Sequence, residues 1–598
     1  MNYEQNSGWW RRCGGLCVRA IAWELSIAAV ASNPGGPKAA RDAKLPTVAE
    51  LDHGRFLRKA ITYAKMIRSH LSLLTVIMAM SAAPAMAQIP AFPGAVGFGA
   101  LASGGRGGTV YHVTNLNDAG PGSFREAVSQ DNHIVVFDVG GYAAPMSTNR
   151  TVNAAIKVHS NITIAGETAP GDGFGVMGRE VSFSTATNVI CRYVRFRQGM
   201  LDGHRAGNTV GMWHASNLIL DHVSIAFGQW NNIDAVGATN ITVQNCLIAD
   251  PVGQRFNAHT EGGPFCWYRN LWANAHNRQP MARADTVWVN NLVYNYEAGY
   301  TTTTHAPFHH DLVNNYFIAG PATSRPPNCF FQVNTDQLFY VAGNLLDANK
   351  DGKLNGSPVT PGQSVTYGKA PGFTETTKLP TISAKAAVPG LLSGAGCSLR
   401  RDALDWRTIG EVASFGKAGF IWTNQIQSGL ANCGYGNLNG GAAPLDSDQD
   451  GMPDYWEKIL GGNPSADDHN TEVPDQDGFI SEPTFFPPHT PVGYTRLDEY
   501  LYFLGMPHFL VVKNTATKPS RVQIDLRKFT SGFTRSPGFE ISGVSGGMVS
   551  QSGDGGCLIT FTPARDFVGR AKFDFTVTDR EGSSGKQTCA LLVCEPGL

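Results

Sequence analysis

Short apolar runs bounded by turn residues recur along the middle of the chain, and they constrain the fold more than any other feature. The runs read NITIAG, NVICRYVRF, NLILDHVSI, NITVQNCLI, FCWYRNLWA, DTVWVNNLVYN, HDLVNNYFIAG and LFYVAGNLL. Aligned on Asn245, Asn270, Asn291, Asn315 and Asn344, they follow one another at intervals of 25, 21, 24 and 29 residues. A unit of this length cannot bury its own apolar face, so successive units must stack into a solenoid.

Each unit looks like short strands without helical periodicity, and this favours a parallel β-helix in which one unit forms one coil. Leucine-rich repeats have a similar period, but they need leucine at several fixed positions, which these units lack. Asparagines stacked at one turn can hydrogen bond from coil to coil. Their recurrence therefore has a structural explanation that needs no function.

The pattern changes after about residue 340 and divides the chain into parts. We expect the β-helix over residues 88–435, a calcium-binding module over 444–506 and an antiparallel β-sandwich over 508–598. Alternating phenylalanines and turn signals mark the sandwich, whose form resembles cadherin-like and immunoglobulin-like modules. The predicted fold class is all-β.

The N-terminal region has the form of an export signal that begins at an internal methionine. From Met66 the chain has a positive start, an apolar run over 71–80 and the residues Ala-Met-Ala before Gln88. We therefore expect a signal peptide over 66–87, with residues 1–65 as an upstream extension outside the mature protein. The apolar run is too short for a permanent membrane span. The predicted location is extracellular, with the periplasm as the alternative.

The overall charge excludes two classes of partner. Lys and Arg together number 47 and Asp and Glu 48, so no global field attracts nucleic acid or an anionic membrane. A charged substrate must be met by a local patch.

Arg278 and Arg283 form such a patch, because they lie five residues apart around a proline in a segment between two strand runs. Guanidinium groups presented together match carboxylates in a bidentate manner, which suits a polyuronate. A pair of solvated or salt-bridged arginines is the alternative, and this segment alone does not decide between the two.

Several motifs in order resemble those of the pectate lyases, the family-one polysaccharide lyases. They are AFPGAVGFGALASGGRGGTVYHVTNLNDAGPGSFREAV, IVVFDVGG, NITIAGETAPGDG, LILDHVSIAFG and NRQPMAR, and they lie between about Phe92 and Asp347. The resemblance implies a right-handed parallel β-helix that cleaves de-esterified pectin by β-elimination, with Ca²⁺ bridging the enzyme and the substrate carboxylate. The expected partner is thus an acidic polysaccharide, and we expect a monomer.

The resemblance also implies roles for single residues. The family's RxPxxR motif falls on Arg278 as the base that removes the proton α to the uronate carboxylate, and on Arg283 as a clamp for that carboxylate. A guanidinium acts as a base only in a strongly cationic site, so we expect activity at alkaline pH. Arg255 falls near a substrate-binding lysine of the family, and Trp230 is a candidate for stacking on a sugar ring.

The chain departs from the family at the calcium site of the cleft. Of two acids four residues apart, Asp234 matches the second, and Trp230 stands at the position of the first. An earlier acid falls near Asn208, with Asp202 as a substitute. Amide oxygens are weaker calcium ligands than carboxylates, so calcium binding here is expected to be weak or dependent on substrate.

A second calcium signal follows the β-helix, where oxygen ligands occupy positions 1, 3, 5, 9 and 12 of a loop with glycine at position 6, as in an EF-hand. The predicted ligands are Asp446, Asp448, Asp450, the carbonyl of Met452, Asp454 and Glu457. A second, split loop is predicted from Asp475, Asp477 and Glu499. We expect both loops to be structural.

Two alternative functions stay open. A β-helix glycoside hydrolase acting on pectin needs paired carboxylates that face the scissile bond, and no convincing pair lies on the repeats. A non-catalytic β-helix that binds acidic polysaccharide is the other alternative, because the expected acids of the cleft are missing.

Overall fold

The computed structural model describes residues 88–143, 155–200, 207–304, 306–362, 365–474 and 484–597. The predicted signal peptide and upstream extension, together with the candidate ligands Asp202, Asp475 and Asp477, lie outside these residues. Residues Ala87–Leu598 form one compact unit. Within the described ranges, no helix combines the length and the apolar character that a bilayer span requires.

The first and largest part is built from short strands. In chain order they are β1 (Thr109–Val113), β2 (His133–Phe137), β3 (Gly141–Ala143), β4 (Ile156–Lys157), β5 (Ile162–Ala165), β6 (Phe174–Met177), β7 (Val181–Ser182), β8 (Thr187–Arg192), β9 (Val194–Arg197), β10 (Val210–Gly211), β11 (Ser216–Asp221), β12 (Ser224–Ala226), β13 (Asn231–Gln244), β14 (Leu247–Ala249), β15 (Phe256–Tyr268), β16 (Leu271–Ala273), β17 (Met281–Val289), β18 (Leu292–Tyr294), β19 (Tyr300–Thr301), β20 (His309–Val313), β21 (Tyr316–Ile318), β22 (Phe330–Phe331), β23 (Leu338–Ala342), β24 (Leu345–Asp347), β25 (Ser357–Pro358) and β26 (Thr366–Tyr367).

These strands stack into three faces. The first face has the order β4-β7-β10-β13-β15-β17-β19-β22, the second β1-β2-β5-β8-β11-β13-β15-β17-β20-β23-β26, and the third β3-β6-β9-β12-β14-β16-β18-β21-β24. Neighbouring strands within each face pair in parallel. Strands β13, β15 and β17 are long enough to belong to two faces, and register shifts between Ala235 and Ala238 and between Gly262 and Phe265 separate their halves. The predicted parallel β-helix is confirmed.

An asparagine ladder lies inside the coils, as the repeats predicted. Asn270, Asn291 and Asn315 are each almost fully buried, and each backbone N–H donates to the Oδ1 of the next asparagine at 2.8–3.0 Å, ending at Asn344. The alignment on Asn245 is wrong by one residue, because the backbone N–H of Cys246 donates to Asn270. The ladder is therefore structural.

Short α-helices are added to this mostly β chain. They are α1 (Phe124–Ala127), α2 (Thr374–Lys378), α3 (Ala384–Gly394), α4 (Ala403–Ala413), α5 (Asp454–Leu460) and α6 (Arg496–Leu504). Helices α3 and α4 cover the third face, where Val388 and Ile409 share an apolar cluster with Leu271 and Leu292. The buried Arg197 fixes α4 by an Nη2 hydrogen bond of 2.9 Å to Asp405.

The C-terminal strands form two sheets around one apolar core. They are β27 (His508–Val512), β28 (Val522–Asp525), β29 (Gly538–Ser545), β30 (Gly547–Ser552), β31 (Leu558–Pro563), β32 (Gly569–Thr578) and β33 (Ser584–Cys594). The sheets have the orders β27-β33-β32-β29 and β28-β31-β30, and only β27 and β33 pair in parallel within them. Phe561, Phe573, Phe575 and Val577 are buried between the sheets. The predicted sandwich is confirmed.

Helices α5 and α6 connect the two β structures. Trp456, Leu497 and Phe503 belong to one apolar cluster. The same cluster contains Val136 of strand β2 and Leu592 of the sandwich. The elements fall within the ranges expected for three domains, and the domain boundaries themselves stay predictions.

Candidate active site and cation site

The outward side of the first face carries a row of polar groups on β13, β15 and β17. Parallel register places Asp234 beside His259 and, two residues further along β15, Glu261 beside Arg283. Thr260, between the two β15 residues, is fully buried, because alternate residues of a strand point to opposite sides. The register therefore places Arg283 of the sequence motif in one row with Glu261 and near Asp234, two acids that come from earlier coils.

A chain of hydrogen bonds runs along this row. Arg283 Nη1 donates to Glu261 Oε1 at 2.9 Å, and the same oxygen lies 2.8 Å from His259 Nε2. His259 Nδ1 lies 3.1 Å from Asp234 Oδ1. Partial burial opposes the shift, but the hydrogen bonds from Arg283 and His259 hold the pKa of Glu261 below its usual value. Sequence analysis missed His259 and Glu261, although both lie on alternate positions of one strand.

Asn231 extends the chain to the second arginine. Its Nδ2 donates to Asp234 Oδ1 at 3.2 Å, and its Oδ1 accepts from Arg278 Nη1 at 2.8 Å. The two arginines of the motif are thus connected through acids and amides of three neighbouring strands. Of the alternative of solvated or salt-bridged arginines, the salt-bridged form holds for Arg283, which pairs with Glu261.

Arg278 is held in an unusual environment for a guanidinium. Its φ is +66°, and its guanidinium carbon lies 4.1 Å from the centroid of the Phe256 ring. Burial lowers the pKa of Arg278 from its usual value, the charge of Asp234 opposes this shift, and the charge of Arg283 adds to it. A lowered pKa is what a guanidinium needs in order to accept a proton.

A group of oxygen ligands lies next to Asp234 on the same face. Burial raises the pKa of Glu180, a hydrogen bond from the Asn208 backbone opposes this shift, and the charge of Asp234 adds to it. The Oδ1 of Asn208 accepts from both the N and the Nδ2 of Asn231 at 3.2 Å. Two acids whose charges repel, with amide oxygens beside them, form an oxygen-only donor set that fits Ca²⁺.

Glu180 was not among the predicted ligands. It comes from the coil before Asn208, and only the stacking of coils brings it to Asp234. Trp230, at the position of the missing acid, is 38% exposed and meets the Phe256 ring edge-on at 6.1 Å. Burial lowers the pKa of His276, the charge of Glu297 opposes this shift, and the charge of the nearby Arg255 adds to it.

The loop after the β-helix gathers a second set of acids. Carboxylate oxygens of Asp446, Asp448 and Asp450 lie within 4.8 Å of one another, and the same holds for Asp450, Glu457 and Asp468. Asp468 lies outside the predicted loop, but its backbone N–H donates to Asp450 Oδ2 at 3.1 Å. The fold therefore supplies an acid that the EF-hand pattern does not contain.

Arg496 pairs with Asp468 of this second set, but two other carboxylates of the set have no partner among the described residues. Both carboxylate oxygens of Asp448 and of Glu457 are buried, and they accept no hydrogen bond from any described residue. Burial and the charges of the neighbouring acids, above all Asp450, raise the pKa of Glu457 to about 8. Buried carboxylates without partners are unfavourable, and a divalent cation among them satisfies their oxygens.

Two predicted ligands, Asp454 of this loop and Glu499 of the split loop, pair with other residues of the protein. Asp454 accepts hydrogen bonds from the Ser447 backbone at 2.9 Å and from Lys458 Nζ at 3.0 Å. Glu499 accepts two hydrogen bonds from Arg570 of the sandwich, at 2.8 and 2.7 Å. Both carboxylates are therefore occupied elsewhere. Met452 does lie at the site, where its N–H donates to Asp450 Oδ1 at 2.9 Å.

Comparison with known proteins decides the family. A probable pectate lyase C from Neosartorya fischeri is 38% identical over 398 residues, which cover 64% of this chain and 90% of the relative. The chain belongs to the pectate lyase family. A pectate lyase from Nicotiana tabacum is 28% identical over 182 residues, which cover 26% of this pectate lyase chain and 43% of the relative.

Two further matches concern the sandwich and the fold. Residues 512–591 of this pectate lyase match the family model of the bacterial Ig domain, which agrees with the predicted immunoglobulin-like module. The solved structure of a pectate lyase from Paenibacillus sp. 0602 covers 54% of this chain and 98% of its own, with 12% identity and a TM-score of 0.34.

Proposed function

We propose that this lyase cleaves polygalacturonate, or a related acidic pectic glycan, by calcium-assisted β-elimination at the first face, with Arg278 as the base. The observation that carries the proposal is the connection of Arg278 to Arg283 through Asn231, Asp234, His259 and Glu261. This arrangement combines a guanidinium of lowered pKa with a second cationic group and a set of oxygen ligands.

In the proposed reaction, the neutral guanidine of Arg278 accepts the proton α to the uronate carboxylate. The electron pair of the broken C–H bond forms a double bond to the β carbon, and the bond from that carbon to the glycosidic oxygen breaks. The leaving oxygen takes up a proton from water, and Arg278 later returns its proton to water, so the products are an unsaturated uronide and a new chain end. Because the neutral form of Arg278 becomes more populated as the pH rises, the rate increases towards alkaline pH.

The other residues position the substrate and the base. Arg283 exchanges its bond with Glu261 for a bidentate contact with the uronate carboxylate. Asn231 orients the guanidinium of Arg278, because its Oδ1 accepts a hydrogen bond of 2.8 Å from Arg278 Nη1. Arg255 and Trp230 lie beside this site and contact neighbouring sugar units.

Calcium fits the same face. Glu180 and Asp234 would hold the ion, with the amide oxygen of Asn208 beside them. Bound calcium neutralises the substrate carboxylate and so makes its α proton more acidic.

The loop binds a separate, structural calcium ion in this proposal. The ligands are Asp446, Asp448, Asp450, Glu457 and Asp468, with Met452 at the site. We further infer that the protein is exported after cleavage before Gln88 and that it acts as a monomer. N-terminal sequencing of the exported protein tests the cleavage position, and retention of residues 1–65 would contradict it.

The activity is tested by the ultraviolet absorbance of unsaturated uronides, with polygalacturonate, methylated pectin and alginate compared. We expect product from polygalacturonate in the presence of calcium. Binding without any unsaturated product would favour the non-catalytic alternative. Saturated products would instead favour hydrolysis, with Glu180 and Asp234 as the carboxylate pair.

A further inference from the structure

Trp213 is a largely exposed tryptophan on the first face, and the reaction above does not use it. Its side chain is 52% exposed, whereas Met212 before it is fully buried in the coil. An indole open to water offers a large, flat apolar surface on which a ligand ring can pack. The position of Trp213 relative to the arginines indicates which partner fits.

Parallel register places Trp213 in the same outward row as Arg283. Gly211 pairs with Asp234, and the pairing continues past β10, where the N–H of His214 donates to the carbonyl of Val236. Trp213 therefore lies beside Val236, and the row continues through the register shift of β13 to Glu261 and then to Arg283. Neighbouring strands lie about 4.8 Å apart, and three steps therefore separate Trp213 from Arg283 by about 14 Å. The row runs across the strands, along the axis of the β-helix.

The local structure holds the Trp213 ring in place. Its backbone N–H donates to Ser184 Oγ at 3.2 Å, and its ring meets the His214 ring edge-on at 4.1 Å. His214 adopts a φ of +51°, and the coil next to it has Gly237, where a Cβ atom would come within 2.5 Å of His214 Nδ1. The absence of a side chain at Gly237 thus makes room for the imidazole that supports the indole.

We propose that Trp213 is a stacking platform for a sugar ring of the polyuronide, in a subsite three coils before Arg283. The proposal rests on the proposed function, because it assumes that the substrate carboxylate is held at Arg283. The C–H face of a sugar ring is apolar and packs against an aromatic ring. A chain that reaches both residues must have several sugar units, so Trp213 selects for long substrates.

Steady-state kinetics on polygalacturonate and on trigalacturonate test this subsite. For Trp213→Ala we expect a KM about tenfold higher on the polymer, with kcat within about twofold of wild type, because the contact is made equally in the ground and transition states. On the trimer, which is too short to reach from Arg283, both constants should equal those of wild type. Trp213→Phe should restore most of the affinity for the polymer.

Trp406→Ala is the matched control, since Trp406 is 48% exposed but lies on α4, which covers the third face. It should leave KM unchanged on both substrates. An unchanged polymer KM for Trp213→Ala, or an equal rise on polymer and trimer, overturns the platform. If Trp213→Ala does not fold, as judged by its melting curve, the comparison of Trp213→Phe with Trp213→Gln decides.

Failure of the proposed function gives a different result. In that case wild type forms no unsaturated product from either substrate, whatever residue stands at position 213. The platform is then tested by binding alone, with polygalacturonate titrated against wild type, Trp213→Ala and Trp406→Ala and followed by calorimetry. Loss of binding only in Trp213→Ala supports the platform, and equal binding by all three proteins rejects it.

Discussion

The acids of the first face and the acids of the loop over 446–457 differ in how their oxygens are satisfied. Asp234 and Glu261 accept hydrogen bonds from side chains of their own face, including Asn231 and Arg283. In the loop, Asp448 and Glu457 are buried and have no such partner among the described residues. The proposed cation sites therefore differ, because the acids of the face have partners without a cation and two acids of the loop do not.

The surroundings of the two sites explain this difference. The face lies open on the β-helix, where the contacts of Arg283 can be exchanged for those of a substrate. The loop is packed against the first coils, with His112 Nε2 3.2 Å from the carbonyl of Gln449 and His469 Nε2 3.1 Å from that of Gly108. We therefore expect a cation in the loop to stabilise the contact between the module and the β-helix, and a cation on the face to assist the reaction.

The largest expected effect is on the base of the first face. Arg278→Lys should lower kcat by about a thousandfold or more, because lysine keeps the charge but loses the planar group that Asn231 and Phe256 position. The melting temperature should stay that of wild type. Initial rates of unsaturated-uronide formation measure the effect. Arg269→Lys, in the turn directly after the second-face half of β15, is the control. Near wild-type turnover by Arg278→Lys would rule out its role as the base.

The second largest expected effect is on the calcium dependence of the melting temperature, which we attribute to the acids of the loop. Calcium should raise the melting temperature of wild type, since a ligand that binds only the folded state stabilises it, by about 2.7 kcal/mol at a hundred times Kd. Asp448→Ala combined with Asp450→Ala should abolish this rise. The calcium-free melting temperature should fall only a little, because removing charges that repel one another offsets the loss of other contacts. Scanning calorimetry with and without chelator measures both. Asp454→Ala, outside the converging acids, should keep the calcium response, and a calcium-independent wild type would reject the site.

A smaller effect separates the face from the loop. Glu180→Gln should raise the calcium concentration for half-maximal activity by about tenfold, because an amide is a weaker ligand than a carboxylate. It should leave the calcium dependence of the melting temperature unchanged. Rates at buffered free calcium measure the first quantity, and an unchanged requirement would remove Glu180 from the ligand set.

These sites show how far the sequence predicts the molecule. The repeats predict coils, and the arginine motif predicts Arg278 and Arg283, because both signals are local in the chain. Glu180 and Asp468 were missed because their partners come from another coil or from beyond the loop, and only tertiary packing brings them together. The ion pair of Glu499 with Arg570 could not be predicted for the same reason, since Arg570 belongs to the sandwich.

The smallest effect is a pH dependence of the calcium-free loop. The pKa of Glu457 is raised from 4.5 to about 8 in the folded protein. The folded state therefore binds this proton more tightly than the unfolded state, and the resulting stability is present below pH 4.5 and is lost as the pH rises towards 8. In chelator, the melting temperature should fall over this range, and Glu457→Gln should flatten the fall. Identical pH profiles for the two proteins would show that Glu457 does not carry this charge.

The most direct test of two separate calcium sites measures the melting temperature and the initial rate of one preparation at the same free calcium concentrations. The account predicts two midpoints, with stability reached at lower calcium than activity, because the loop has more carboxylate ligands than the face. Glu180→Gln should move only the activity curve, and Asp448→Ala with Asp450→Ala should remove only the stability curve. Coincident midpoints that shift together in both variants would contradict the account.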